Sequence, residues 1–498
     1  MPSAAELYAQ RLRKREQLLA QGEAYPARAL RSHDAAAAVA LLEAAERPGA
    51  SESQPNAEAP AVTVAGRVTA QRMMGRAAFL DLRDGSGRVQ LHLKRDELGE
   101  AFDRLALVDL GDFLEASGTL FRTRSGEPTV AVRGWRMLAK TLRPLPEKWH
   151  GVGDVETRYR QRYLDLVANE RSREIARTAS RVVSAVRRFF EARDFMEVQT
   201  PVLQEHAGGA AARPFVTHHH ALDRNLYLRI ALELHLKRVL IGGFDRVFEI
   251  GRVFRNEGIS TRHNPEFLLL ESYEAYVDYQ HVARMVEELV RSVTLEVTGT
   301  LRLGHGERAL DIESPFRHTT YRQALLEHAG IDYRDFPGLE ALRAVAVERG
   351  VPVAAGASWD RVLDQLWSTF VEPKLLQPTF VFDYPLAISP LAKQRPDDSL
   401  VAERFELFAM GYELANAYSE LNDPVEQRRR LLEQTAKATA GDDEVELADE
   451  DFLLALEHGM PPAGGLGMGL ERLIQLITGE HSIREVILFP ALRERAGG

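Results

Sequence analysis

The sequence predicts an α+β chain: a small N-terminal β domain, then a larger domain of mixed strands and helices. Three observations carry this reading. Residues 62–138 break into short runs of alternating hydrophobicity separated by turn signals. Arg143-Pro144-Leu145-Pro146 follows as a stiff hinge. Past the hinge, helical periodicity over Ser172–Glu191 gives way to mixed strands and helices up to the C-terminal region.

At 498 residues the chain has room for about two to four domains, and 45% hydrophobic residues supply their cores. No apolar run approaches the roughly 18 residues that cross a bilayer. The opening Met1-Pro2-Ser3-Ala4-Ala5-Glu6 lacks the basic and apolar regions of a secretion signal. The chain has no cysteine, which excludes disulfides, thiolate metal sites and cysteine nucleophiles and fits a reducing cytoplasm. A cytoplasmic protein with no membrane partner is expected. Net charge is −10, unevenly spread: residues 1–150 carry 22 Lys and Arg against 19 Asp and Glu, which leaves the remainder at −13. An acidic body with a mildly basic front is compatible with nucleic acid gripped by local patches.

In chain order, Ala4–Gln21 reads as a helix, with Leu7, Tyr8, Leu12, Leu18 and Leu19 at helical spacing and Gly22 as its stop. Arg11, Arg13, Lys14 and Arg15 give it a basic face, solvated or turned to phosphates. Residues 46–61 are polar and rich in breakers, a flexible loop. Strands are expected at Val62–Val68, Ala78–Leu82, Val89–Leu93, Phe113–Leu120 and Thr129–Val132. Five strands in this span suit a small barrel of OB type, although a sandwich shares the pattern. The expected domains are 1–145 for helix plus barrel, 146–160 for the hinge region and 161–498 for the rest, with a helical insertion at about 321–376.

The stretch from Phe254 to Phe267 (Phe-Arg-Asn-Glu-Gly-Ile-Ser-Thr-Arg-His-Asn-Pro-Glu-Phe) says most about chemistry. Two arginines, a histidine and two glutamates sit between apolar strand-like runs, which is costly unless the loop grips something. The planar fork of Arg suits phosphate. Arg255 and Glu257 share parity and can face one pocket. The stretch resembles motif 2 of the class II aminoacyl-tRNA synthetases. With its surroundings, including Tyr159–Leu166, it is similar to the lysyl-tRNA synthetases. The resemblance implies an OB-fold anticodon-binding barrel, and a catalytic domain built on an antiparallel sheet flanked by helices. It implies that Arg255 holds the ATP α-phosphate and the amino-acid carboxylate, and that Glu257 touches the adenine amino group. Arg262 and His263 belong with the outer phosphates, Asn264 with the ATP site, and Phe267 stacks on adenine.

Gly464–Leu473 resembles motif 3, a glycine-rich strand leading into a helix, where glycines permit close approach to a ligand and the helix start favours anions. By resemblance Arg472 binds the γ-phosphate; Glu471 stands where many members have Asp. Arg193–Leu203 resembles motif 1, which forms the family's dimer interface and implies a homodimer. Asp194 stands where Gly is common, so its turn must tolerate Asp. Glu406 and Glu413 bracket a turn. A hairpin centred between Ala409 and Met410 puts them directly opposite, about 4.5–5.5 Å apart at Cβ, close enough to share a hard cation. The family uses such a pair for Mg²⁺, up to three ions with ATP.

For the amino acid, Asn416, Tyr418 and Glu420 alternate on one strand, as Glu271 and Tyr273 do on another. By resemblance Glu420, Tyr273 and Glu271 meet the ε-ammonium of L-lysine, Glu233 and Gly209 hold its α-amino group, and Asn416 assists Arg255. Tyr418 stands where Phe is frequent, and Leu232 where Pro is. Glu413 and Asn416 are three apart, so a regular strand would send them to opposite faces; a bulge near Leu414-Ala415 is expected. In the barrel, Phe79, Gln90 and Glu127 match positions that read the anticodon of tRNA(Lys), a Phe stacking on a base and Gln or Glu reading its edge. A core role is the alternative for Phe79.

The resulting expectation is a lysine–tRNA ligase that forms lysyl-adenylate from lysine and ATP and then passes lysine to the tRNA 3′ end. Two other readings stay open. An aspartyl- or asparaginyl-type synthetase shares the scaffold but calls for a basic or amide pocket instead of Glu271 and Glu420. A non-catalytic tRNA-binding paralogue should have lost phosphate-binding arginines, and Arg255, Arg262 and Arg472 are all present.

Overall fold

The computed structural model of the chain describes residues 3–22, 25–46, 60–146, 153–210, 212–305, 308–354, 356–439 and 449–494. It divides into two units, Met1–Gly153 and Asp154–Gly498. The breaker-rich loop expected at 46–61 lies, from 47 to 59, outside the described residues, as do 147–152 of the expected hinge region.

In the first unit, helix α1 (Ala4–Ala20) starts on a capping box in which Ser3 and Glu6 satisfy each other's backbone N–H groups. Its basic face is partly committed: Lys14 pairs with Asp109 at 2.7 Å, and Arg11 donates to the Arg143 carbonyl at 3.1 Å. Strands β1 (Ala61–Met74), β2 (Ala77–Arg83), β3 (Arg88–Lys94), β4 (Phe113–Arg122) and β5 (Pro128–Ala139) close a barrel in the order β1-β2-β3-β5-β4. Closure decides for the OB barrel over the sandwich. The alternating residues Leu80, Leu82, Leu91, Leu93, Leu114 and Val130 fill the interior.

In the second unit the elements that position the site are, in order, α2 (Glu170–Glu191), β6 (Met196–Glu197), α3 (Glu233–Ile241), β7 (Arg246–Phe254), β8 (Glu266–Ala275), α4 (Tyr279–Thr298), β9 (Arg317–Thr320), α5 (Trp359–Phe370), β10 (Thr379–Pro385), β11 (Val401–Ala409), β12 (Tyr412–Ser419), α6 (Glu450–Glu457), β13 (Ala463–Gly469) and α7 (Leu470–Thr478). Eight strands form one sheet in the order β9-β10-β11-β12-β13-β8-β7-β6. Pairing is antiparallel throughout except at the two edges, β9 with β10 and β6 with β7. Because strand side chains alternate, one face can be apolar while the other carries chemistry. The apolar face (Phe248, Leu270, Ala415, Leu466, Met468) packs with Val186 and Phe190 of α2, Val286 and Leu289 of α4, and Leu473 of α7. Residues 321–376 contain the helices Tyr321–Ala329, Leu339–Glu348 and α5, which share a core in which Tyr321 stacks on Trp367 at 4.2 Å. Among the described residues no helix is long and apolar enough to cross a membrane.

Past α2 the chain reverses through Asp194, which sits in the left-handed region at φ 61° while the Phe195 N–H returns to the Phe190 carbonyl at 3.1 Å. Asp is among the few side chains that visit this region readily. Asp194→Gly is expected to hold or raise stability, and Asp194→Val to cost about 1–2 kcal/mol, since a β-branched residue is strained there. Urea unfolding midpoints of the two variants check this.

Candidate active site

Strand register assembles the site. One row across the sheet runs Glu271 on β8, Gly467 on β13, Asn416 on β12 and Glu406 on β11. The next runs Tyr273, Gly465, Tyr418 and Arg404 on the same four strands. On β13 the cavity-facing positions are Gly465, Gly467 and Gly469, while Leu466 and Met468 are buried with the helices. Between β8 and β12 a trough one side chain deep therefore runs over Gly467, while Glu420 and the Tyr273 ring close in over Gly465. The trough belongs to a cavity of about 560 Å³.

The β11–β12 hairpin turns one residue later than expected. Ala409 pairs with Tyr412, and Met410 and Gly411 form the turn at φ 58° and 78°. A two-residue hairpin turn of this hand needs left-handed backbone at both positions, and Gly411 supplies one without strain. The ladder then slips: Phe408 pairs with Glu413 but Leu407 with Ala415, which leaves Leu414 as the extra residue of a bulge. The expected bulge is present, and through it Glu413 and Asn416 line the same cavity although three residues apart. Glu406 stands opposite Asn416, not Glu413, a correction to the expected cross-strand pair that follows from the later turn and the bulge together.

At the cavity's arginine-rich end, Arg255, Glu257, Arg262, His263, Asn264, Phe267 and Arg472 all line the wall. The Arg255 guanidinium lies over the Phe267 ring at 5.2 Å, and its Nε donates to the Ile230 carbonyl at 3.3 Å. Among the described residues no carboxylate forms an ion pair with it. Arg262 and Arg472 each have an acid, Glu372 at 3.1 Å and Glu413 at 3.2 Å. His263 is pushed down by burial and then by the neighbouring arginines Arg472, Arg262 and Arg255. Asn264 braces the loop: its amide donates to the Glu266 carbonyl at 2.6 Å, and its oxygen accepts from the Ala491 N–H at 3.0 Å. Glu406 accepts from Arg404 at 2.6 Å and from the Tyr384 hydroxyl at 2.8 Å. Burial, then the charge of Glu413, pushes its carboxyl up to about 7. Two carboxylates whose charges oppose each other are a donor set suited to Mg²⁺ shared with phosphates, since that ion seldom takes an all-protein cage. Among the described residues no cluster of three or more acidic, His or Cys ligands stands ready for a metal.

At the opposite end Gly209, Glu233, Glu271, Tyr273, Asn416 and Tyr418 line the cavity. Glu271 accepts from the Leu232 N–H at 3.0 Å and from the Tyr273 hydroxyl at 3.0 Å. The Tyr418 hydroxyl donates to Glu233 at 2.6 Å. Asn416 accepts from Arg404 at 3.0 Å. Glu420 is not on the wall. It lies beneath, 1% exposed, with the Lys237 ammonium 2.6 Å away.

Sequence reasoning passed over Lys237, Arg404 and Glu372 here, and named Glu471 without giving it a role. Lys237 is one helical turn from Glu233, an i,i+4 spacing that was there to be read. Arg404 has the parity of Glu406 and anchors both it and Asn416. Glu471 accepts the Leu268 N–H with both oxygens at 2.9 Å, tying β8 to α7, and burial pushes its carboxyl up to about 7. Glu372, which pairs with Arg262, comes from the 321–376 stretch and had no sequence signal.

In the barrel, Phe79 is half-buried on the outer surface, stacked on His92 at 4.5 Å with 4° between ring planes. It is no part of the core, which removes that alternative. Gln90, on the same side, is buried and accepts from Thr129 at 3.2 Å. Glu127 pairs with Arg88, which also holds Asp81 at 3.0 Å.

Residues 154–493 match the family of class II tRNA synthetases described as D, K and N, and residues 62–138 match the OB-fold nucleic acid binding domain. A lysine–tRNA ligase of Dehalococcoides mccartyi (strain ATCC BAA-2266 / KCTC 15142 / 195) is 51% identical over 492 residues, covering 98% of both chains. One from Roseiflexus castenholzii is 49% identical over 498 residues, covering 98% of this chain and 99% of its own. One from Moorella thermoacetica is 49% identical over 439 residues, 88% of this chain and 90% of its own.

Proposed function

This chain belongs to the class II tRNA synthetases of the D, K and N family, and we propose that within it the protein is the member that charges tRNA with lysine. The near full-length likeness to lysine–tRNA ligases supports this. The observation that carries it is the acidic end of the cavity, where Glu233 and Glu271 line the wall and Glu420 lies beneath. An aspartate side chain would meet like charges there, and an asparagine would leave buried carboxylates uncompensated. A lysine ammonium is the complement.

The reaction follows from what the cavity holds apart and together. With the ammonium groups at the acidic end, the lysine carboxylate points to Arg255, and ATP lies along the arginine wall. The carboxylate is already ionised, so no general base is needed. Its oxygen bonds to the α-phosphorus as the bond to the bridging oxygen breaks, giving lysyl-adenylate and pyrophosphate. Arg255 then acts by positioning and by stabilising the charge on the α-phosphate, with Arg262 and Arg472 on the outer phosphates once these displace Glu372 and Glu413. Glu257 and Phe267 take the adenine. Magnesium held by Glu406 and Glu413 would supply further positive charge to the phosphates. In the second step the 3′-hydroxyl of the tRNA's terminal ribose attacks the adenylate's carbonyl carbon and AMP leaves. Phe79, Gln90 and Glu127 are assigned to the anticodon, with His92 extending the stacking surface.

This reading puts the enzyme in the cytoplasm and makes it a homodimer through residues 193–203. Met196, Val202 and Leu203 are exposed there, apolar surface that a second copy would cover. Sedimentation should give twice the chain's mass. The test of the function itself is ATP–pyrophosphate exchange with each standard amino acid. Exchange with lysine alone is expected; exchange with aspartate or asparagine would overturn the reading of the acidic end.

A pH effect also follows. Burial, then Glu233, pushes the Glu271 carboxyl up to about 8 from an ordinary 4.5. The folded protein therefore binds a proton that the unfolded chain has released, and stability falls as pH rises between those values. A substrate ammonium favours the ionised form, so lysine binding should expel about one proton at pH 7, with release fading above pH 8. Lysine titration calorimetry in buffers of different ionisation enthalpy measures it. No release at pH 7 would mean that the substrate does not meet Glu271.

A further inference from the structure

Three carboxylates gather at the acidic end from three elements: Glu233 on α3, Glu271 on β8, and Glu420 just past β12. The protein sets two cations against them, Arg255 from the loop after β7 and Lys237 on α3. Lys237 has no exposed surface, and its Nζ lies 2.6 Å from Glu233 Oε1 and 2.6 Å from Glu420 Oε2. The other Glu233 oxygen accepts from the Tyr418 hydroxyl. The rings of Tyr418 and Phe452, the latter on α6, flank the ammonium at 5.6 and 5.9 Å. Tyr273 completes the surroundings through Glu271. Neither Glu420 oxygen accepts a hydrogen bond of good geometry among the described residues; Oε2 meets the ammonium as an ion pair and Oε1 faces no donor.

We propose that Lys237 is a positioning residue for the substrate: its ammonium is the resident counter-ion that keeps Glu233 and Glu420 aimed, and with all three carboxylates ionised it leaves the pocket one positive charge short of neutral. A zwitterion whose side chain bears one ammonium then completes the charge balance, and a neutral side chain of the same length does not. The inference rests on the lysine-pocket reading above. It explains why a cation is buried where a cationic substrate must bind. Burial pulls the Lys237 ammonium down, but Glu233 and Glu420 outweigh it and hold the group above its ordinary value. Glu420 is pushed well up by burial even with that ammonium beside it. Without the ammonium, the pocket would hold a further proton at neutral pH, which a cationic substrate would have to displace.

The test is ATP–pyrophosphate exchange by full-length Lys237→Met, Lys237→Arg and Glu420→Gln at pH 6.5 to 8.5, with KM taken for lysine and for ATP. For Lys237→Met the lysine KM should rise about tenfold or more at pH 7, with the ATP KM unmoved and the deficit shrinking as pH rises. A rise in both KM values together, or a lysine deficit flat in pH, would reduce Lys237 to a packing role and overturn the proposal. Should Lys237→Met fail to fold, Lys237→Arg decides. It keeps the cation, so its lysine pH profile should match the parent's even if kcat falls; a shifted profile overturns the proposal. Glu420→Gln separates this from the reading beneath it. If Glu420→Gln impairs lysine use and Lys237→Met does not, the Lys237 role alone falls. If neither variant affects lysine, the lysine-pocket reading falls with it.

Discussion

Arg255→Ala is expected to lower lysine-dependent ATP–pyrophosphate exchange by about 10³-fold while leaving tRNA binding essentially intact. The size follows from the site. Arg262 and Arg472 are each held by an acid, whereas Arg255 lines the cavity with no ion pair among the described residues. A cation in that setting has given up water and gained only a ring face and one long hydrogen bond, so its electrostatic reward comes when an anion arrives. Two anions meet there during activation, the lysine carboxylate and the α-phosphate, and the reaction joins them. Arg255→Lys should recover little, because a point charge does not reproduce the fork that spans both groups; a deficit of about 10²-fold is expected. Ligand-free stability gives a second readout. Removing a half-buried cation that has no ion pair among the described residues should leave the urea midpoint unchanged or raised. Equal loss of exchange and tRNA binding, or a lowered midpoint, would show that Arg255 holds the fold instead of the reactants.

Much of this site could be read from the chain because strand chemistry has period two. Asn416 and Tyr418, like Glu271 and Tyr273, share a face by parity alone, and the structure sets them on one cavity wall. Parity also exposed the conflict between Glu413 and Asn416, whose resolution by a bulge at Leu414 was foreseeable. The turn was harder to place. Pairing Glu406 with Glu413 assumed that the hairpin centres where the glutamates are equidistant, but Met410-Gly411 set the register through their left-handed backbone. The depth of Glu420 was not legible, since alternation assigns a side and says nothing about distance beneath the wall. Nor was its partner: Lys237 sits on a helix far away in sequence, and only the tertiary packing of α3 on the sheet brings the two within 2.6 Å. Glu372 shows the same limit, because an exposed-looking glutamate in a helical stretch carries no mark of the arginine it meets. The barrel was recovered strand by strand, but its closure rests on β1 pairing with both β2 and β4, which local alternation does not encode.

The alternation of glycine on β13 leads to the other large effect. Gly465→Ala is expected to raise the lysine KM on the order of 10²-fold, with little change for ATP, because misplacing a positioned group by about 1 Å costs that much. A Cβ at residue 465 would lie 1.9 Å from Glu420 Oε1 and 2.6 Å from the Tyr273 ring. Both residues belong to the acidic end, and neither touches the arginine wall. The strain should also lower stability by about 1–3 kcal/mol. Gly467 offers the internal comparison. There the nearest atoms to a Cβ are 3.8 and 4.0 Å away, ordinary contacts, so the protein itself has room for the methyl group. What the methyl would enter is the trough between Glu271 and Asn416. Gly467→Ala should therefore keep the parent's urea midpoint and still impair exchange, while Gly465→Ala loses both. If Gly467→Ala were fully active, the space over β13 would not be where the substrate lies. If it were as unstable as Gly465→Ala, both glycines would serve the protein's own packing, and the bare strand would be a consequence of folding instead of a seat for lysine.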